Sequence, residues 1–156
     1  RVNSEISMVH GNHFTVAGII GVDPQRPCLA YNVMLGADTF ESHEDFILAQ
    51  VTNGFLRPGD ILICDNYSVY VKASEDLNNF LSSIGIAVVP LPAYMAEWNP
   101  KELNWNTFKT YLFHEDMAYG DTELLELVTT FMSNVTHEKI LQYYKHVWEE
   151  MGKVVV

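Results

Sequence analysis

The chain has 156 residues, 48% of them apolar and 19% charged, with a formal net charge of −11. That length suits one domain rather than two, and the balance excludes a disordered tail, which would carry fewer apolar side chains. No apolar run approaches the ~20 residues that cross a bilayer, no basic-then-apolar leader opens the chain, and the excess of acid argues against tight nucleic-acid binding through charge alone.

The same acidity does not argue against a metal-dependent site, where clustered carboxylates are needed. The start at Arg1 rather than Met reads as that of a piece of a longer protein. Cys28 and Cys64 are far apart in apolar surroundings and read as reduced core residues of a cytosolic or nuclear protein.

In chain order, the β-branched run His13 to Val22 is a strand, and a turn at Asp23-Pro24 leads to a second strand over Cys28 to Leu35. Five residues separate them, so an antiparallel hairpin is expected. Ser42 reads as the N-cap of a helix, with Asp45 three residues on and an apolar stripe of Phe46, Ile47, Val51 and Phe55. Leu56-Arg57-Pro58-Gly59 ends it. Asp60 to Cys64 is an unbroken apolar run of the kind buried on both faces of a sheet. A helix over Lys72 to Ile84 turns Leu77, Phe80, Leu81 and Ile84 inward, and Gly85 sits just past its end. Ile86 to Leu91 is a second buried strand. After a Pro-rich loop, Asn99-Pro100 opens a helix with Trp105, Phe108 and Leu112 on its apolar stripe. Helices over Asp121 to Val135 and Thr136 to about Met151 follow, the last packing Tyr143, Tyr144 and Trp148 against the sheet. The alternation defines an α/β layered domain.

Reactive groups in open α/β sheets gather at the carboxyl ends of strands. Asp65 stands there, straight after a buried strand, either as a turn-capping carboxylate or as a ligand. Glu102 is the third residue of the helix that Pro100 opens, either reaching back to cap it or facing a cleft. A strand–helix–strand–helix path brings both carboxylates to one edge of the sheet. Two carboxylates at one edge suit a hard divalent cation such as magnesium, and so permit metal-assisted phosphoryl transfer. Asn66 is open to two readings, a partner of the Asp65 carboxylate or a turn residue. Lys101 and Lys109 are either phosphate contacts beside the cleft or residues of a solvated helix face. Tyr94 and Trp98 either stack on an unpaired base or pack in the loop and core. His10 and His13 flank a Gly in a loop and lack a third ligand, which disfavours a zinc site.

The stretch GDILICDN and the later GIAVVPLPAYMAEWNPKELNWNTFKTYL resemble the DDE superfamily endonucleases, nearest the mariner-like transposases. The positions that carry the resemblance are Pro58-Gly59-Asp60, Asp65-Asn66, Leu91-Pro92, Tyr94, Glu97-Trp98 and Asn99-Pro100-Lys101-Glu102. Between Asp65 and Glu102 lie 36 residues, close to that group's spacing. The likeness covers roughly Phe14 to Val147, and its two motifs together are fairly specific. It departs from the pattern at Tyr70, where His is usual, and at Met95-Ala96, where Ser-Pro is usual.

The resemblance implies an RNase H-like mixed sheet flanked by helices, with the first catalytic strand missing from this chain. Residues 1–13 are then a residual upstream segment, 14–112 a partial catalytic core and 113–156 a C-terminal helical extension. Asp65 and Glu102 are implied as the second and third acids of a triad holding two magnesium or manganese ions. Glu5 and Asp23 are the only acids near the first position, and neither follows a buried apolar strand. The implied activity is cutting and joining of DNA phosphodiesters, with transposon ends and target DNA as partners. A homodimer, no membrane, and a nuclear location in a eukaryote or a cytoplasmic one otherwise complete that reading. Its rival is a decayed or domesticated remnant that binds DNA or protein without catalysis. If the missing strand is central, the sheet is left with a gap or exposed edge, and the fragment is expected to express poorly alone.

Overall fold

Three antiparallel strands open the chain. In the computed structural model, which describes residues 2–7, 13–36, 39–64, 75–92, 94–114 and 120–154, they are β1 (Val2–Ser7), β2 (His13–Ile20) and β3 (Leu29–Leu35), with β2 in the middle. The expected hairpin is β2–β3, with Phe14 opposite Leu35 and Ile20 opposite Leu29. Its turn is closed by the Gly21 N–H donating to the Cys28 carbonyl at 2.9 Å. β1 falls in a segment to which the sequence assigned no element. It pairs with β2 from Val2 opposite Gly18 to Ser7 opposite His13.

Helix α1 (Phe40–Thr52) begins earlier than expected. Thr39, not Ser42, is its N-cap: the Thr39 hydroxyl accepts from the Ser42 N–H at 3.1 Å. The Ser42 hydroxyl in turn accepts from the Thr39 N–H at 2.9 Å. Ser42 is thus the far half of a capping box whose other half lies three residues upstream. Then come β4 (Ile61–Cys64), α2 (Glu75–Ser83) and β5 (Ala87–Pro90), and β4 pairs with β5 in parallel, Ile61 opposite Ala87. A 3-10 turn (Ala96–Trp98) leads into α3 (Pro100–His114), followed by α4 (Asp121–Ser133) and α5 (His137–Val154). The fold is therefore mixed α/β, with a three-stranded antiparallel sheet, a two-stranded parallel one and five α-helices among the described residues.

β2 is the strand buried on both faces. Ala17 and Ile19 pack on one side with Phe46, Ile47, Leu62, Leu77, Leu81 and Ile86, beneath α1 and α2. Val16 and Ile20 point the other way. Val16 meets Trp105, Phe108, Leu124, Val128 and Met132, and Ile20 meets Ile140 and Tyr143. Helices α3 to α5 form that second layer.

β4 and β5 do not follow the expectation of burial on both faces. Only Leu62 of β4 is buried, while Ile61 is 66% and Ile63 39% exposed. No residue of β5 itself is buried. The second helical layer covers β2 and β3, leaving one face of the parallel pair without cover from the described helices. Two aromatic residues differ from expectation in the same sense: Phe80 of α2 and Trp148 of α5 face solvent.

Candidate functional site

β4, which Asp65 follows in sequence, and α3, which carries Glu102, border one cleft. It has a volume of about 330 Å³ and lies between the end of β2 and β4. Ile61 to Ile63 form one wall, Ile19 to Val22 the other, and Asn99 and Pro100 at the start of α3 close it with Tyr144. Asp65 comes two residues after Ile63, and Glu102 two residues after Pro100. The Leu91 N–H donates to the Cys64 carbonyl at 2.7 Å, tying the carboxyl end of β4 to the strand that leads on to α3.

The start of α3 is built as its sequence implies. Asn99 is buried and its side-chain oxygen accepts from the Lys101 backbone N–H at 3.0 Å, while Pro100 takes the first helical position. Glu102 is half-buried in the first turn, where a carboxylate is favoured by the unpaired N–H groups of the helix end. Its own N–H donates to the Asn99 carbonyl at 3.0 Å. Asp65, Asn66, Tyr70 and His10 lie outside the described residues. His13 opens β2 rather than sitting in a loop, Lys109 is exposed on α3, and Trp98 is half-buried.

Lys101 is the residue the sequence placed least well. It is fully buried, so it belongs neither to a solvated face nor to a surface that meets phosphate. Its ammonium donates to Asn104 Oδ1 and stands 4.0 Å from the centre of the Trp105 ring. Gly18 makes the room: a Cβ there would sit 2.7 Å from Lys101 Cε. Burial pushes the lysine pKa down to about 7, and the neighbouring Glu102 carboxylate only partly opposes this. Asn104 Nδ2 is buried with no partner among the described residues.

The other end of the cleft is an ion-pair clasp that the sequence did not single out. Arg26 holds Asp60 with two contacts, 2.5 Å from Nη1 and 2.9 Å from Nη2, and reaches Asp23 from Nε at 2.8 Å. The same guanidinium donates to the Phe55 carbonyl at 2.8 Å. His137 Nε2 lies within 3.1 Å of the Asp23 carbonyl and 2.7 Å of the Arg26 carbonyl, fastening α5 to this turn. Arg26 holds the Asp60 carboxyl below its ordinary range, and a Gln25 N–H together with Arg26 does the same for Asp23. The available signal was charge scarcity: with 9 basic residues against 20 acidic ones, a cation in a turn is a natural partner for a nearby carboxylate.

Among the described residues, no group of three His, Cys, Asp or Glu side chains is placed to hold a metal ion. Among the same residues, no helix is long and apolar enough to cross a membrane. Compared with known proteins, the chain matches no family model, no curated protein and no solved structure.

Proposed function

We propose that the chain is the catalytic α/β unit of a DDE-type, mariner-like transposase, acting on DNA phosphodiester bonds at the cleft between β2 and β4. The observation that carries this reading is the cleft itself, which is walled by the strand leading to Asp65 and by the start of the helix bearing Glu102. The element order adds support, since antiparallel strands followed by helix, strand, helix and parallel strand suit such a domain. An RNase H-like sheet is continuous, and β2 already has β1 on one edge and β3 on the other, so a strand with the first acid would lie at an edge of this sheet and not beside β2. Glu5 in β1 and Asp23, engaged by Arg26, are not assigned to that first position.

The donor set suits a hard divalent cation, which takes one or two carboxylates and keeps waters and substrate phosphate for the rest of its shell. Asp65 and Glu102 would hold magnesium or manganese, which would supply charge stabilisation at the phosphoryl oxygens. Asn99 and Pro100 fix the first turn of α3, which carries Glu102.

The test is magnesium- or manganese-dependent nicking of plasmid DNA by the chain, with Asp65→Asn and Glu102→Gln beside the parent. Each variant is expected to lose at least a hundredfold in rate while keeping the parent's melting curve. Nicking by both variants at the parent's rate would remove the assignment. A second reading, a remnant that binds DNA without cutting it, is favoured by one observation: Asp23 and Asp60 at the cleft are both engaged by Arg26. Binding without nicking by the parent would select it.

A further inference from the structure

Tyr94 combines two unfavourable features. Its φ of 62° lies in the left-handed region that bulky side chains avoid, and the other positive φ values among the described residues belong to Gly36, Gly54, Gly59 and Gly85. Its side chain is also 98% exposed, so the ring gains no packing from its own chain in return. Glycine or asparagine would adopt this backbone at less cost. Strain held at a residue without internal contacts directs attention to what it meets outside.

The neighbouring turns impose this conformation. The Met95 N–H donates to the Pro92 carbonyl at 3.3 Å. The Trp98 N–H donates to Met95 at 3.0 Å and the Asn99 N–H to Ala96 at 2.9 Å, which carries the turn into the cap of α3. Tyr94 therefore stands on a braced loop between the carboxyl end of β5 and the helix that carries Glu102.

We propose that Tyr94 is a stacking platform for an unpaired nucleobase of the DNA whose backbone lies at the cleft. The inference deepens the function proposed above and rests on it. A tyrosine face accepts any base, whereas bases inside a duplex are hidden, so the ligand class is DNA with a single-stranded or splayed end. Stacking also suits an acidic chain, because it does not depend on the cations that are scarce here.

The test is fluorescence anisotropy in calcium buffer, using a fluorescein-labelled duplex with a five-nucleotide 3′ overhang and the same duplex with blunt ends. Tyr94→Phe keeps the ring; Tyr94→Gly removes it and relieves the backbone. The glycine variant is expected to bind the overhang duplex about tenfold more weakly than the parent. It should also melt at a higher temperature than the parent and change blunt-duplex affinity less than twofold. The phenylalanine variant should stay within twofold on both. If the glycine variant matches the parent on the overhang duplex, or loses equally on both, stacking is overturned and the cleft assignment stands on its own nicking test. A parent chain that binds neither duplex overturns both.

Discussion

Lys101 shows how one side chain departs from its sequence context. On a helix next to Glu102 it reads as a solvated cation, yet it is enclosed with Trp105, Asn104 and the bare backbone of Gly18. Because its pKa falls from 10.5 to about 7 on folding, the unfolded chain binds more protons in that interval. The contribution of Lys101 to stability must then rise with pH from about 7 to about 10.5, by up to ~1.4 kcal/mol per pH unit. Urea unfolding at pH 7, 8.5 and 10 should show this rise in the parent and lose it in Lys101→Met. Equal slopes for the two proteins would mean that the ammonium is hydrated in the fold. The cap that precedes it, by contrast, was readable in the sequence, because Asn99-Pro100 acts through backbone groups one and two residues away.

At the scale of elements, local signals held where their partners are local. The β2–β3 hairpin and the start of α3 follow their turn and capping residues. Burial did not, because it depends on which layer each strand meets. DILIC and the β2 run are both apolar, but only β2 lies between two helical layers. The clasp at Arg26 joins elements from distant parts of the chain, linking the β2–β3 turn to Asp60 before β4 and, through His137, to α5. Its planar, forked donors match Asp60 in a way lysine cannot reproduce. Arg26→Lys should therefore lose ~1–2 kcal/mol in urea unfolding at pH 7. Arg26 holds the Asp60 carboxyl below its ordinary 3.8, so the pair's contribution is complete above that value and is lost as pH falls through the lower, folded one. The gap between parent and variant should accordingly narrow in acid. A gap that stays constant down to pH 2 would show that the loss comes from packing.

Across the whole molecule, the bare face of the parallel pair is the main consequence of how the layers are distributed. Ile61 and Ile63 lie beside Ala87 and Val89 in register, and Ile61, Ile63 and Val89 are 66%, 39% and 46% exposed. Contiguous exposed apolar surface of this kind promotes association. Replacing Ile61 and Val89 by Thr should leave unfolding free energy within ~0.5 kcal/mol of the parent and reduce light scattering on concentration. A lower, cooperative melting transition would show instead that these side chains are packed. Composition, periodicity and capping residues were enough to specify an α/β chain, its hairpin and the start of α3, because those depend on contacts a few residues long. Which strand is enclosed, where Lys101 goes, which carboxylates Arg26 takes and what borders the cleft were decided by the tertiary structure, because each depends on segments distant in sequence meeting in one place.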